Sequence, residues 1–465
     1  MTKRTRTFLF LFLTLLFAII TPAVVLYSQG WRLDLGRKRL TQTGAFYFKV
    51  WPQGAKIYIN ETLSKKTGSL ISNFGTAFIE NLVPKQYKVE ISKDGYRSWS
   101  KILEIKPKLV TDAKNVFLFP ENQNFFLISK TIDYFSFSPN GERVIIKKPE
   151  EQKWYLSLFE PERQVQSFLA EKKGEILNLH WSSDSRRVFL ETSSGESLKN
   201  YVIEADQSPA NVISVDFIGK TAEQVSFNTQ NSEELFYLSN ASLFRTNYFV
   251  KEISKPLLNL VVTYKMVDNN FYFLDQSGFL YKSDLSFGFQ EKINSNPFSV
   301  KNETGYEIYI FEPYFFIKED AKLYSFNTET KSFDSFFDSI KNLKLSPDYK
   351  KIVYFSDSEA WIMFLTDIHN QPDRKAGDKV FINRFSEKID DILWLNDNYL
   401  ALSVNGKIKI SEIDDRDKIN IIDFNEFTTD NGKQELKIHF NNNPKDKKLY
   451  ILNGESFYNS EILVP

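Results

Sequence analysis

A hairpin pattern that recurs along residues 121–465 limits the folds open to this chain more than any other feature. Each copy is an alternating strand, a short polar turn and a second apolar strand, as in DYFSFSPNGERVIIK. Eight copies are recognisable, with turns near positions 138, 182, 229, 267, 312, 346, 395 and 443. Their mean spacing of about 44 residues is the period of a four-stranded propeller blade. The sequence therefore predicts a β-propeller over residues 121–465.

The number of hairpins predicts the number of blades. Eight hairpins favour eight blades. A seven-bladed ring is the alternative, with an insertion near 251–260 or 373–379 in place of one weak copy. After its hairpin the last copy has one strand left, Phe457 to Leu463, whereas Asn124 to Ser129 precedes the first hairpin and has no blade of its own. We expect this early strand to complete the last blade and close the ring, which would remove exposed strand edges.

An uncharged segment near the N-terminus predicts a membrane anchor. Phe8 to Tyr27 contains 20 residues without a charge, and as a helix it would span about 30 Å, the thickness of a bilayer core. Tyr27 and Trp31 stand where an interfacial aromatic belt is expected. A cleaved signal peptide is the alternative, but it has a shorter apolar stretch and small residues before the cut. We expect an uncleaved transmembrane anchor over residues 8–28, with the lipid bilayer as its partner.

The charges that flank this segment do not decide its orientation. Three cations precede it and four follow it, at Arg32, Arg37, Lys38 and Arg39. Long downstream domains translocate largely regardless of flanking charge, so we expect a cytoplasmic tail over residues 1–7 and an extracytoplasmic bulk. Residues 29–43 are interpreted as a polar linker. Its basic cluster is either solvated or in contact with acidic lipid head groups or anionic wall polymer.

Residues 44–120 are predicted to form a small β domain. Strand-like runs of alternating polarity occur at Lys56 to Asn60, Tyr87 to Ser92 and Trp99 to Ile105. Turn residues separate such runs, first in WPQG and later in KDGY, because Pro presets φ and Gly supplies a positive φ.

These two turns and the strands around them resemble the PEGA domain, a small β-sandwich-like module of bacterial and archaeal surface proteins. The family is named for a Pro-Glu-Gly-Ala turn, in which this chain has Gln53, and the usual glycine before the Tyr strand is Gln86. The resemblance implies a structural role in turns and core for Pro52, Gln53, Gly54, Ala55, Gly95 and Tyr96. Tyr96 and Trp99 are expected to pack inside the domain, with an exposed sugar-stacking face as the alternative.

The composition excludes several kinds of chemistry. The chain has no cysteine, which rules out disulfides, thiolate nucleophiles and cysteine metal sites. Its three histidines, His180, His369 and His439, are scattered and share no metal-ligand spacing. Basic and acidic residues number 59 each, so the chain as a whole has no basic field to attract nucleic acid. Phosphate-loop, zinc-protease and serine-hydrolase motifs are missing. We therefore predict no catalytic residue, no metal and no cofactor.

A few polar and aromatic residues still need an interpretation. His180 ends an inner strand, where it could face the propeller channel; a structural role is expected, and a general base is the alternative. Asp184, Asp348 and Asp397 recur in hairpin turns, where each would accept an Asx hydrogen bond. The acidic segment 414–417 is interpreted as a solvated turn. Packing between blades is expected, rather than a carbohydrate platform, for Trp154, Trp181, Trp361 and Trp394.

Two of the clearest turns, SPNG at 138–141 and SPDY at 346–349, resemble the WD-like repeats of bacterial periplasmic propellers such as the Tol-system propeller. This resemblance implies architecture alone, because propellers serve hydrolases, lyases and scaffolds alike. The leading hypothesis is a non-catalytic, membrane-anchored envelope protein whose propeller binds a protein or a cell-wall glycan through loops at one end of the ring. The alternatives are an envelope hydrolase or lyase acting in the channel, which predicts convergent carboxylates or a perturbed histidine there, and a structural surface-layer component.

Overall fold

The N-terminal apolar segment is helical. The computed structural model describes residues 3–34, 38–68, 74–150, 153–195, 197–427 and 436–464. Its helix, α1 (Lys3–Ser28), is long and apolar enough to cross a bilayer, and none of its residues is buried within the protein. Large side chains such as Phe8 and Phe17 are more than 70% exposed, at 73% and 71%. The helix continues through Pro22.

A two-stranded hairpin follows the helix, in the region interpreted from the sequence as a polar linker. β1 (Trp31–Asp34) pairs antiparallel with β2 (Arg39–Gln42). At the base of the hairpin the Thr43 backbone N–H donates to the Gly30 carbonyl at 2.8 Å. Residues 29–43 are therefore more than a linker. The sequence did not reveal the hairpin because its strands are only four residues long and mostly polar.

The small domain consists of two sheets around one core. Its strands are β3 (Gly44–Trp51), β4 (Lys56–Ile59), β5 (Thr62–Lys66), β6 (Gly75–Leu82), β7 (Gln86–Ser92), β8 (Trp99–Glu104) and β9 (Val110–Phe117). One sheet has the order β6-β3-β9, with β3 and β9 parallel, and the other has the order β5-β4-β7-β8. Alternate side chains of both sheets point inward, so that Phe46, Phe48, Ile57 and Val89 are fully buried together. The predicted small β-sandwich is confirmed as an arrangement of sheets.

Eight sheets follow one another in residues 125–462 of the described chain, and we number them ring sheets 1 to 8. They are preceded by β10 (Phe125–Lys130). Ring sheet 1 contains β11 (Tyr134–Phe137), β12 (Val144–Glu150), β13 (Lys153–Glu160) and β14 (Val165–Lys173). Ring sheet 2 contains β15 (Glu175–Trp181), β16 (Arg187–Ser194), β17 (Ser197–Glu204) and β18 (Asn211–Ser214), and a 3₁₀ turn at Asp216–Ile218 follows it. Ring sheet 3 contains β19 (Glu223–Phe227), β20 (Glu234–Ser239), β21 (Ser242–Asn247), β22 (Glu252–Ile253) and β23 (Leu258–Asn259).

The remaining ring sheets repeat the same antiparallel order. Ring sheet 4 contains β24 (Val261–Val267), β25 (Asn270–Asp275), β26 (Leu280–Asp284) and β27 (Gln290–Lys292). Ring sheet 5 contains β28 (Tyr306–Phe311), β29 (Tyr314–Glu319), β30 (Lys322–Asn327) and β31 (Ser332–Phe337). Ring sheet 6 contains β32 (Asn342–Leu345), β33 (Lys351–Phe355), β34 (Glu359–Phe364) and β35 (Lys379–Arg384). Ring sheet 7 contains β36 (Ile389–Asn396), β37 (Tyr399–Val404), β38 (Lys407–Glu412) and β39 (Ile421–Glu426). Ring sheet 8 contains β40 (Lys437–Phe440), β41 (Lys448–Asn453), β42 (Ser456–Ile462) and the early strand β10.

The sheets form a closed ring because each packs on the next. Separate apolar clusters join ring sheets 1 and 2, 2 and 3, and so on to 7 and 8. A further cluster joins ring sheet 8 to ring sheet 1, with Tyr450 and Phe457 packed on Val144 and Ile146. Repeats that bury their faces against neighbours form such a continuous core. The architecture is a β-propeller, and the number of ring sheets equals the eight blades that the hairpins favour.

The predicted closing strand is confirmed. β10 pairs antiparallel with β42, with Phe125 opposite Ser460 and Lys130 opposite Ser456, so ring sheet 8 takes strands from both ends of the propeller. This pairing occupies a strand edge that would otherwise be exposed on ring sheet 8.

Short-range hydrogen bonds explain the recurring serine and aspartate of the hairpin turns. In ring sheet 6, Ser346 donates its hydroxyl to Asp348 at 2.6 Å, and the same carboxylate accepts the Lys350 backbone N–H at 3.2 Å. Asp184 forms the equivalent bonds in ring sheet 2. The predicted Asx role is thus confirmed at these two positions. It is wrong at Asp397, because the neighbouring Asn396 side chain accepts the turn N–H instead, at 2.8 Å.

Candidate functional site

The small domain is joined to ring sheet 7 by a buried ion pair. The Lys101 ammonium lies 2.7 Å from Glu412 Oε1, and the two side chains are 0% and 5% exposed. The second carboxylate oxygen of Glu412 accepts the Trp99 indole N–H at 2.8 Å, and Asn420 donates its backbone N–H to the first at 2.9 Å. Burial raises the pKa of Glu412, although Lys101 opposes that shift. Removing one partner of a buried ion pair is strongly destabilising, because it leaves the other charge buried and unpaired.

The loop between β38 and β39 surrounds the same lysine with oxygen atoms. Lys101 donates to the backbone carbonyls of Asp414 at 2.7 Å and Arg416 at 3.0 Å, and also to that of Lys418. The Asp417 carboxylate accepts the Ile102 backbone N–H at 2.9 Å. The interpretation of 414–417 as a merely solvated turn was wrong. This loop instead binds the small domain.

Aromatic packing extends the junction. The Tyr399 hydroxyl accepts the Phe117 backbone N–H at 3.1 Å, and its ring lies edge-on to Phe117 and Phe119, with centroids 5.3 and 5.4 Å apart. Phe119 in turn packs on Phe424 of β39. Because Phe119 lies just before the propeller begins, the connection between the two domains is itself part of the core.

A cleft of about 330 Å³ lies beside this junction, between the small domain and the turns of ring sheets 6 and 7. Its walls mix charged, amide and aromatic side chains, including Lys114, Asp348, Lys350, Asn370, Gln371, Asp397, Tyr399 and Arg416. Convergent polar groups in a concave site are typical of a binding site. Next to the cleft the turn residue Tyr349 is 75% exposed, and Lys350 is exposed beside it.

Two carboxylates in the cleft have pKa values displaced in opposite directions. Burial would raise the pKa of Asp348, but hydrogen bonds from Lys351 and Ser346 hold it below its usual value. Burial, with the Asp348 charge next to it, raises the pKa of Asp397. Such a pair can divide the roles of base and acid between its members.

His180 lies on the inner strand β15 of ring sheet 2. Its ring contacts Phe189 and Phe227, at centroid distances of 5.1 and 5.8 Å, and burial lowers its pKa to about 4. His439 on β40 stacks on Phe137, and burial likewise lowers its pKa to about 4. Both imidazoles are therefore neutral at pH 7 and packed against aromatic rings.

Two carboxylates on inner strands, Glu307 and Asp391, form ion pairs with lysines. The distances between the ammonium nitrogen and the carboxylate oxygen are 2.9 and 2.6 Å.

The recurrent tryptophans pack between ring sheets, as predicted. Trp181 donates its indole N–H to Ser136 of ring sheet 1 at 3.2 Å, and Trp394 donates to Lys344 of ring sheet 6 at 3.1 Å. Trp154 and Trp361 lie in the clusters between ring sheets 1 and 2 and between 5 and 6. These contacts occupy the indoles that a carbohydrate platform would need.

The PEGA-like residues shape turns and fill the small-domain core. Gly54 and Gly95 have φ values of +83° and +80°. Ala55 is fully buried, and its N–H donates to the Thr67 hydroxyl at 2.9 Å. Tyr96 packs partly buried on the same core, and Trp99 is 4% exposed. The alternative interpretation, in which Trp99 belongs to an exposed sugar-stacking face, is therefore wrong.

The sequence contains one signal for the junction, in strand β8, that the predictions above do not include. In the alternating strand β8, Lys101 has the same phase as Trp99 and Leu103, which makes it an inward-facing lysine. A buried lysine needs a partner. Its partner Glu412 lies 311 residues further along the chain, in another domain.

Comparisons with known proteins concern the fold. No protein-family model matches the chain, and no curated protein sequence matches it. Among solved structures it is similar to the Dos1 propeller, with TM-score 0.48 and 11% identity over 73% of this chain and 95% of that one. It is also similar to the computationally designed Ika8 protein, with TM-score 0.46 and 11% identity over 72% and 96%. Hsv2 of Kluyveromyces lactis matches with TM-score 0.40 and 10% identity over 64% and 99%.

Proposed function

We propose that this protein is a single-pass, non-catalytic cell-envelope protein that presents its propeller to a protein or glycan partner outside the cytoplasm. In this proposal residues 1–7 are cytoplasmic, residues 8–28 anchor the chain, and residues 44–120 form a PEGA-like module that holds the propeller, residues 121–465. The observation that carries the proposal is the buried junction between the small domain and the ring. A helix with uncovered apolar side chains leads into a small domain that Lys101 and Glu412 fix to the ring.

The face of the ring beside the cleft is the proposed binding surface. It combines an exposed aromatic side chain, Tyr349, with the adjacent cation of Lys350 and the mixed charges of the cleft. Tyrosine is one of the residue types enriched among those that supply most of the binding energy of an interface. The surface is built on hairpin turns that the ring holds in place, so binding would cost little ordering entropy.

Binding through this face predicts a selective loss on mutation. We expect the double variant Tyr349→Ala/Lys350→Ala to weaken capture of the partner at least about tenfold, because a hot-spot residue is worth more than about 1.4 kcal/mol. The measurement uses the full-length protein in nanodiscs, with envelope proteins and purified wall glycan tested separately. Phe289→Ala is the matched control, since Phe289 is a 70% exposed aromatic just before β27 of ring sheet 4. Equal capture by both variants would show that the partner binds at another surface.

The orientation can be tested on intact cells, because the chain has no cysteine of its own. We expect a single cysteine introduced as Phe289→Cys to react with a membrane-impermeant maleimide before lysis. Reaction only after lysis would place the propeller in the cytoplasm and contradict the proposed localisation.

A hydrolase or lyase is the second candidate function, favoured by the Asp348–Asp397 pair. Its site would then be the cleft at the junction and not the central channel. Asp397→Asn would abolish turnover of a glycan substrate, whereas a binding protein shows no turnover in either form.

A further inference from the structure

We propose that the end of the small domain next to α1 rests on the bilayer surface. The apolar face of the β1–β2 hairpin would enter the interfacial layer, and the lysines around it would bind anionic head groups. The inference rests on the proposed function in one respect, because it requires α1 to cross the membrane.

The hairpin has two different faces. Leu33 and Leu40 are directly opposite each other in the β1–β2 pairing and are 57% and 55% exposed. Trp31 has the same phase as Leu33 and therefore shares this face. The opposite face carries Thr41, which is only 9% exposed. An apolar face that includes a tryptophan is the composition of a membrane interface.

Hydrogen bonds hold this face near the end of the helix. The Arg32 guanidinium lies 3.5 Å above the centre of the Tyr27 ring and donates to the Tyr27 carbonyl at 2.8 Å. The same side chain donates to Asn81 Oδ1 of the small domain at 2.7 Å. Helix end, hairpin and small domain are thus joined through one arginine. If α1 lies in a bilayer, these contacts keep Leu33 and Leu40 close to the bilayer surface.

Two turns of the small domain lie at the same end and are basic. Lys108 donates its backbone N–H to the Thr43 carbonyl at 3.1 Å, and Ile105 donates to the Lys85 carbonyl at 2.9 Å. The first bond places the turn of Lys106 and Lys108 beside the base of the hairpin, and the second places Lys85 beside that turn. Their exposed cations, together with those of the hairpin, are Lys38, Arg39, Lys85, Lys106 and Lys108. Leu109 adds a further apolar side chain, 56% exposed.

A lipid surface is the occupant that fits this end. Cations near a membrane are attracted to acidic head groups, and large exposed apolar side chains beside them favour the interfacial layer. Among the described residues, Lys85, Lys106 and Lys108 have no ion-pair partner within the protein. The covalent link to α1 also keeps the bilayer close to this end at all times, whereas a soluble partner would have to compete with it.

The test uses single cysteines carrying an environment-sensitive fluorophore, in vesicles of phosphatidylcholine with or without phosphatidylglycerol. The probes are Leu33→Cys, Leu40→Cys and Leu109→Cys. Phe17→Cys in α1 is the lipid reference, and Phe289→Cys just before β27 of ring sheet 4 is the water reference. We expect the leucine probes to be quenched by lipid-borne nitroxide and to be shielded from aqueous iodide at least threefold relative to Phe289→Cys.

Each other outcome has a definite meaning. If Phe17→Cys is in lipid and the leucine probes are as open to iodide as Phe289→Cys, the inference is wrong and the anchor stands. If Phe17→Cys is itself open to water, both the anchor and the inference fail. In vesicles with phosphatidylglycerol, the variant Lys85→Gln/Lys106→Gln/Lys108→Gln should reduce the shielding of the Leu109→Cys probe from iodide. In vesicles of phosphatidylcholine alone, it should leave that shielding unchanged. An equal effect in both vesicles would contradict head-group binding.

Discussion

Replacing Lys101 with methionine is expected to lower the free energy of unfolding by about 3–5 kcal/mol, the cost of leaving a buried charge without its partner. The Glu412 carboxylate would keep its bonds from Trp99 and Asn420 but lose the only cation that contacts it at 2.7 Å among the described residues. Three carbonyl oxygens that now face the ammonium would lose their donor as well. Chemical denaturation of the full-length protein in nanodiscs, followed by near-ultraviolet circular dichroism, measures the loss.

Two further variants test the reason for this loss. Lys114→Met removes a lysine that pairs with Asp112 at 2.6 Å but is 45% exposed, so it should cost less than about 1 kcal/mol. The double variant Lys101→Met/Glu412→Gln removes both buried charges and should regain at least half of the loss. If Lys101→Met costs no more than Lys114→Met, the junction is not held by the ion pair.

If α1 spans a membrane as proposed, the same junction would control the position of the ring relative to that membrane. The β1–β2 hairpin joins the helix to the small domain through Arg32, and Lys101 joins the small domain to the ring. Both connections include side-chain contacts in addition to the covalent chain. A binding face on ring sheets 6 and 7 would therefore be held in a fixed direction, which lowers the entropic cost of engaging a partner in the same membrane.

The repeated part of this structure could be predicted from sequence because its causes are local. Alternation of polar and apolar residues predicts the strands. The hydrogen bonds around Ser346 and Asp348 stabilise the turn between them within five residues of chain. The closing strand β10 was predictable because an unmatched strand remained at each end of the repeats. The turn at Asp397 was predicted wrongly, since Asn396 offers the same kind of acceptor one residue earlier.

The candidate site was not predictable in the same way. Lys101 and Glu412 belong to different domains, and no local pattern links them. Asp348 and Asp397 were visible as turn residues. The raised pKa of Asp397 depends on burial and on the charge of Asp348 in the neighbouring ring sheet, which the sequence does not place beside it. The parallel pairing of β3 with β9 also joins segments far apart in sequence. Contacts between such distant segments form the candidate site, and the alternation of polar and apolar residues does not predict them.

Acidification from pH 7.5 to 5 is expected to destabilise the propeller by about 3 kcal/mol through His180 and His439. Burial lowers the pKa of each to about 4 in the folded protein, from 6.5. As the pH falls through 6.5 the unfolded chain binds protons that the folded chain does not, so stability is present above 6.5 and is lost toward pH 4. Each histidine could contribute about 2 kcal/mol over this range, and partial exposure of both rings reduces the total.

The three histidines of the chain provide their own control. His369 is 79% exposed, so His369→Gln should leave the change in unfolding free energy between pH 7.5 and 5 as it is in the native protein. His180→Asn/His439→Asn should remove most of that change, whatever it does to stability at pH 7.5, because asparagine does not titrate. Denaturation midpoints of the three proteins at both pH values give the comparison. A pH dependence that survives in the double variant would assign it to carboxylates and would mean that the two inner-strand imidazoles are open to water.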